Sequence, residues 1–588
     1  MKYGLWGGAL LCLAGAAWIV VTALLARAEL GAVQRSLETL RQVAHRVEGT
    51  PDAPQAGRQQ ARASLDSAAL HAARARRLTS GPVWFLAAHV PYAGRPLRTI
   101  CGLAEVSDLL AHEVLPVAMH AAESFGPGTS RRDLAEALST LEHTAPALER
   151  AAAVVAQLRA ETRALPRSTW LPVADRARGR VTWTLDQIAP AMSSAAVAAR
   201  VLPPMLGTQE QRRYFVVFQN TAEARGTGGM PGAFTVLTVR QGKPRFDTFG
   251  TDTMLAGVEP TVDLGAEYTA QYGQMDPVGT WANSNVSPHF PNAARIWAQT
   301  WREYSGQGVD GVIAVDPSTL GRLLQATGPG QMPDGTKITA DNVLDLAERT
   351  AYSRYADPDQ RKTFLLDIAR TAAGTLIASL GDSGRLPGLI TAGYDIVRQE
   401  RVRVWSARQN EQVLLEKYPL SGTLPDGNHP FAGLVINNAA GGKLDYYLQR
   451  ELQWIPGRCT PTGRPVTARI RLTSRSPRSG LPLYVTYRND APPYLTQPGD
   501  NRLLVSYYAS PHAGLEGVTV DGHAAKVHGG HERGHPVYTL DLELPAQSSR
   551  IIVFRLWEPV SDRPPVLLHQ SLVSPLRAHV SPSPTCHS

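Results

Sequence analysis

Apolar residues fall into three rhythms along the chain. The first is an unbroken run, "GLWGGALLCLAGAAWIVVTALLA", residues 4–26, which holds no charge for 23 residues. That length crosses the hydrocarbon core of a bilayer as one helix. Ala26-Arg27-Ala28 has the shape of a signal-peptide cleavage site. The apolar region of a signal peptide is only about 7–15 residues long, however, so the length favours an uncleaved anchor over residues 1–28. Lys2 lies on one side of the run and Arg27 and Arg35 on the other, so local charge does not set its orientation. No second run of this quality follows, and the remaining 560 residues are expected on one side of the membrane.

The second rhythm is helical. "LGAVQRSLETLRQVAHRVEG" and "RRDLAEALSTLEHTAPALERAAAVVAQLRAETRAL" repeat apolar positions at three- and four-residue spacing. Between them "GPVWFLAAHVPYAGRPL" breaks the pattern with prolines and aromatics, and a further helix follows. Residues 29–204 therefore read as a helical stalk or bundle. Over residues 205–428 strands and helices alternate. "RRYFVVFQN" and "AFTVLTVRQGKPRFDTFG" are strands, the latter folded at a Gln-Gly turn. "NAARIWAQTWREYSG" and "DPDQRKTFLLDIARTAAGTLIASLG" are helices that stop at Gly306 and Gly381. Alternation of this kind predicts a layered α/β core.

The third rhythm has period two. Over residues 429–570, "TARIRLTSRS", "LPLYVTYRND", "NRLLVSYYAS", "PVYTLDLELP" and "RIIVFRLWEP" read as short antiparallel strands of a sandwich-like domain. The last residues, 571–588, read as a disordered tail. The fold class is thus multi-domain α+β: a transmembrane helix, a helical stalk or bundle, a layered α/β core and an antiparallel β-sandwich-like domain.

Composition adjusts this picture little. The net charge is +8, and seven of the 59 basic residues are lysine. The arginines are spread along the chain, as a GC-rich genome produces, and no nucleic-acid partner is expected. Of four cysteines, Cys12 lies in the anchor. Cys459 and Cys586 flank the last domain and could be bridged in an oxidising compartment; free thiols are the alternative.

Candidate chemistry concentrates in two places. "QNTAEARGTGGMPGAF" carries Gly226, Gly228, Gly229 and Gly232 directly after Arg225. Pro231 breaks the dinucleotide spacing, and the loop joins two strands rather than a strand and a helix, so a nucleotide cradle is not expected. A wide loop that lets backbone and Arg225 approach a ligand, or a turn needing positive φ, both remain open. "YSRYADPDQRKTF" sets Arg354 and Arg361 about a helix start, with Asp357 as N-cap and Pro358 at N1. An anion held there by the arginines, or a solvated face balanced by Asp357 and Asp359, fits the pattern equally. The literal HExxH at His531–His535 is broken by Gly534 and followed by Pro536, a hairpin tip rather than a zinc helix.

The ordered motifs "YFVVFQNTAEARGTGGMPGAFTVLTVRQGKPRF", "VDGVIAVDPSTLGRLLQATGP", "WSARQNEQVLLEKYPLSG" and "VINNAAGGKLDYYLQRELQW" resemble the bacterial domain-of-unknown-function family 4012. With the anchor and "PVWFLAAHVPYAGRPL", the resemblance spans most of the chain, and the arginine-rich composition is similar to that of actinobacterial members. The α/β core also resembles the LytR-CpsA-Psr family, through "TFGTDT" and "YSRYADPDQRKTFL". That second resemblance implies a membrane-anchored, extracytoplasmic cell-envelope phosphotransferase. Such an enzyme passes cell-wall glycopolymer from a polyprenyl-diphosphate lipid to peptidoglycan. It further implies that Arg354 and Arg361 clamp the diphosphate with Arg225 as a substitute cation, that Asp252 holds Mg²⁺, and that Glu223 orients an acceptor hydroxyl. Thr251 and Ala356 stand where that family has two further arginines. The alternative is a non-catalytic envelope scaffold or binding protein with a degenerate core.

Overall fold

The computed structural model describes residues 2–47, 54–125, 134–167, 169–382, 384–427, 429–561 and 563–582. They fall into two units, Met1–Glu210 with Gln241–Lys243, and Gln211–Arg240 with Pro244–Ser588. In the first, the uncharged run continues without a proline break into polar sequence, so that one helix, α1, covers Lys2–Val47. Its Gly15–Leu40 stretch is long and apolar enough to cross a membrane. Helix α2 (Pro54–Thr79) returns antiparallel to α1, tied by Ser36–Ser67 and Glu29–His71 hydrogen bonds. Then come α3 (Pro82–Ala88), α4 (Arg95–Leu109) and, after a π-helical turn, α5 (Leu115–Phe125). Helices α6 (Leu134–Ala164) and α7 (Pro172–Met205) complete the unit. Leu141, Leu148 and Val155 recur every seven residues along α6 and bury against Leu185 and Met192 of α7, the spacing of a helix–helix seam.

The second unit begins with a sheet of order β3-β2-β1-β4-β7. Its strands are β1 (Arg212–Arg225), β2 (Gly228–Arg240), β3 (Lys243–Thr251), β4 (Gly311–Val315) and β7 (Arg403–Ser406), while β5 (Gly330–Gln331) and β6 (Lys337–Ile338) pair separately. Strand β1 is antiparallel to β2 and parallel to β4. Alternation along β1 sends its side chains to opposite faces. Phe215 and Val217 meet α10 (Phe290–Ser305), whose Phe290, Trp297 and Trp301 are buried with them. Phe218 packs on the opposite cluster, formed by α11 (Pro317–Thr327) and α14 (Pro358–Leu380). Between the long helices lie short ones: α8 (Asp252–Leu255), α9 (Ala266–Tyr272), α12 (Val343–Asp345) and α13 (Ala351–Arg354), with α15 (Leu386–Arg398) and α16 (Gln409–Leu415) after them. Helix α14 is also long and apolar enough to span a membrane. Its Phe364, Ile368 and Ala372 are buried among α11 residues, which makes it a core helix.

The β-rich part forms two more sheets, β13-β12-β16-β10-β9-β18 and β14-β15-β11-β8-β17. Ile436 of β8 (Phe431–Asn438), Trp454 of β9 (Leu448–Pro456), Ile470 of β10 (Arg464–Ser474) and Val505 of β11 (Asn501–Tyr508) share one core with residues of both sheets. The remaining strands are β12 (Gly514–Val520), β13 (His523–Ala524), β14 (His528–Glu532), β15 (His535–Leu544), β16 (Ser549–Glu558), β17 (Val566–Leu568) and β18 (Arg577–Val580). The HExxH segment is the turn between β14 and β15, with Arg533 and Gly534 both at positive φ.

Two expectations change. "LPLYVTYRND" is not a strand: after Pro482 it forms the short helix α17 (Leu483–Thr486) and leaves the ladder. Residues 571–582 are ordered, because Leu572 enters the two-sheet core and β18 adds in parallel to β9; 583–588 lie outside the described residues. The second unit holds Gln211–Arg240 together with Pro244–Ser588. Cys459 is disulfide-bonded and Cys101 is free, burial pushing its thiol up to about 11. Cys586, its expected partner, is outside the described residues.

Candidate functional site

Two register shifts in β1, at Phe218/Gln219 and Asn220/Ala224, re-aim its side chains where the strand leaves the sheet core. Small residues oppose them on β2, Gly232 and Ala233. The space left open is a largely apolar cleft, lined by Pro317 and Leu320 of α11 and by Leu365, Ile368 and Ala369 of α14. Its polar lining residues are Gln219, Asn220, Thr251, Glu348 and Lys362.

At one edge Lys362 Nζ pairs with Asp252 Oδ1 at 2.9 Å and donates to Thr253 Oγ1 at 2.9 Å. Thr251 and Thr253 hydroxyls are hydrogen-bonded to each other. Asp252 is the metal-ligand candidate. Mg²⁺ is held by one or two carboxylates plus substrate phosphates. The one carboxylate at this edge is already neutralised by lysine, and no three His, Cys, Asp or Glu residues converge among the described residues. That donor set does not fit a resident metal.

At the other edge is Glu348, in the π-helical turn Leu346–Thr350. Such turns interrupt α-helices often at functional positions. The backbone N–H and the hydroxyl of Thr221 both donate to Glu348 Oε1. Its Oε2 is buried without a partner. Burial pushes this carboxyl up to about 8, with Asp316 adding to the rise, against the opposing Thr221 hydrogen bonds. At neutral pH the group is therefore a neutral acid that can donate a hydrogen bond.

The remaining candidates divide. Arg361 is buried in the first turn of α14, where Asp357 caps the helix by accepting from Gln360 N–H, as the sequence predicts. Its Nη1 donates to the carbonyls of Tyr355 and Ala356, and its guanidinium lies 3.7 Å from the Tyr484 ring centroid and 5.6 Å from that of Tyr352. Arg354 is half-exposed, 3.5 Å from Asp334, over the rings of Tyr355 and Phe364. The two arginines thus lie on separate ring pairs, Arg354 on Tyr355 and Phe364 and Arg361 on Tyr352 and Tyr484.

Glu223 and Arg225 sit at the far end of β1. Arg225 donates to the Ala282, Ala224 and Asn438 carbonyls and to Glu223 Oε1 at 2.8 Å. Glu223 Oε2 holds the buried ammonium of Lys443. Burial alone would raise the Glu223 carboxyl, but Lys443 and Arg225 hold it below its usual range. The wide glycine loop is in fact a two-residue turn, Gly226-Thr227, between paired Arg225 and Gly228. A methyl on Gly226 would stand 2.2 Å from the Val286 carbonyl oxygen, and one on Gly229 2.1 Å from that of Asn220. These glycines admit neighbouring backbone, while Gly228 takes φ +143°. Lys443 links the two groups, 5.9 Å from the Tyr352 ring that Arg361 also faces.

Glu348, Tyr484 and Lys443 escaped the sequence reading. Burial of Glu348 and the approach of Tyr484 come from tertiary packing. Lys443 had a signal, because lysine is rare in this chain, and two of its seven, Lys362 and Lys443, lie here.

No curated protein matches the chain. The crystal structure of protein gbs0355 from Streptococcus agalactiae aligns over 38% of this chain and 79% of its own, at 12% identity and a TM-score of 0.23, too slight a likeness to define a shared fold. The family described as "Protein of unknown function (DUF4012)" matches residues 209–352, the stretch that carries β1 to β4, Asp252, Glu348 and Tyr352. Over that stretch, about a quarter of the chain, the protein is similar to the DUF4012 family.

Proposed function

We propose that this is a membrane-anchored, extracytoplasmic envelope protein that binds polyprenyl-diphosphate-linked glycopolymer. The isoprenoid chain would occupy the apolar cleft, and the diphosphate would lie beside Lys362. The carrying observation is the cleft itself, largely apolar in its lining with Lys362 and the Glu348 carboxyl among its few polar groups. An apolar pocket with a few convergent polar groups is the form of a small-molecule site. The apolar stretch of α1 supports the anchor, and the disulfide at Cys459 suits an oxidising compartment.

Binding is favoured over transfer by one further observation. Glu223 and Arg225, the groups that would orient an acceptor and neutralise the diphosphate, are buried, with Glu223 in ion pairs to both Arg225 and Lys443. A carboxylate so held accepts no substrate proton without breaking those pairs. The test uses the full-length protein in lipid nanodiscs and a fluorescent short-chain polyprenyl diphosphate. Saturable binding is expected, abolished by Ala369→Trp, which fills the cleft. Lys362→Ala should weaken it about 10- to 100-fold, the equivalent of one charged hydrogen bond. Binding indifferent to both substitutions refutes the proposal. Release of the lipid monophosphate on adding peptidoglycan, with the distal phosphoryl group passed to an acceptor hydroxyl, would instead support the transferase reading.

A further inference from the structure

Residues 78–94 contain no Asp, Glu, Lys or Arg, and Arg76, Arg77, Arg95 and Arg98 bracket them. This is the aromatic and proline-rich segment that neither the helical unit's seam nor the cleft uses. Its helix, α3, turns its side chains two ways. Trp84 is buried, and its indole N–H donates to Thr22 Oγ1 of α1 at 2.9 Å. Val83 lies against Gly15 of the same helix, where a methyl group would come within 3.9 Å of its Cγ1. Phe85, Leu86 and Tyr92 point outward, 64%, 70% and 69% exposed. Trp18, Val21, Leu24 and Leu25 of α1 are exposed over the same stretch. Large contiguous apolar surface of this kind marks a contact with something other than water.

The depth follows from helix geometry. Thr22 precedes Arg27, the first charge after the uncharged run, by five residues, and Gly15 by twelve. At 1.5 Å per residue, α3 lies about 7–18 Å along α1 inside the level of that arginine. Arg76 is paired with Asp108 at 2.8 Å, while Arg77 at the end of α2 and Arg95 at the start of α4 suit a surface of anionic headgroups. We propose that residues 82–92 form a re-entrant element embedded in the bilayer beside α1, so that the helical unit meets the membrane at two places. The proposal rests on reading α1 as a membrane anchor.

Much of this segment's backbone is paired internally, as hydrocarbon demands of N–H groups. Phe85, His89, Val90 and Gly94 N–H donate in turn to the carbonyls of Gly81, Leu86, Ala87 and Val90. Gly94 permits the return: a Cβ there would meet the Ala87 oxygen at 2.5 Å. Trp170, half-exposed, donates to the Ala93 carbonyl, an amphipathic ring placed where the segment leaves.

The test is photolabelling of the full-length protein in phosphatidylglycerol/phosphatidylethanolamine vesicles that contain a lipid with a diazirine in its acyl chain. Peptides are then mapped by mass spectrometry. Labelling of both α1 and residues 82–92, above that of β16, is expected. In Phe85→Asp/Leu86→Asp, label on 82–92 should fall about tenfold while α1 keeps its own. Label on α1 without label on 82–92 in the wild-type chain overturns the proposal and leaves the anchor standing. Label on neither removes the anchor reading and the proposal with it.

Discussion

Glu223 offers a test of structural against catalytic duty. Its two oxygens hold Arg225 and Lys443, and all three side chains are buried. Glu223→Gln keeps the shape and removes the charge. Two buried cations then face an amide, and Lys443 makes no other salt bridge among the described residues. Breaking a buried pair from one side costs about 3–5 kcal/mol, because the orphaned charge keeps its desolvation penalty. That is a large part of a typical folding free energy of about 5–15 kcal/mol. Adding Lys443→Met removes the orphan and should return about half of the loss. Urea unfolding of the full-length protein, followed by tryptophan fluorescence, reads both as midpoint shifts at constant slope. The pH dependence has a definite sign. A carboxyl held below its usual range stabilises at neutral pH and loses that contribution as pH falls through its folded value. Glu223→Gln should lack this part of the acid destabilisation. A Glu223→Gln protein within about 0.5 kcal/mol of wild type, or no relief from Lys443→Met, would refute the ion-pair argument.

Other perturbations separate the remaining elements. Glu348, pushed up to about 8 from 4.5, keeps in the folded state a proton that the unfolded chain has shed, so stability should fall as pH rises between those values. Melting curves across that window should show the decline in wild type and a flatter profile in Glu348→Gln. Gly226→Ala, which drives a methyl to 2.2 Å from the Val286 oxygen, should cost about 1–3 kcal/mol by chemical denaturation. Tyr484→Ala strips the ring stacked on Arg361 and should loosen the first turn of α14 by about 0.5–2 kcal/mol, measured as faster amide hydrogen exchange there.

The sequence by itself determined what local chemistry controls. An uncharged run long enough to span lipid became a helix. Asp357-Pro358 started α14 because a capping carboxylate and a fixed φ need only their neighbours. The glycine and proline around His535 made a hairpin whatever else surrounded it. Only the tertiary structure decided which charged groups are free. Arg225 and Glu223 look available in sequence, yet Lys443, which commits Glu223, lies 220 residues away, and the Asn438 carbonyl that Arg225 binds lies 213 away. Glu348 looks like one more helical surface acid until packing strips its water and leaves Oε2 alone. Leu572 and β18 follow the same rule, since a short apolar stretch is disordered or ordered according to the edge and core it finds. Spacing along the chain encodes hydrogen bonds to neighbours. Desolvation and long-range pairing depend on what the fold brings from elsewhere.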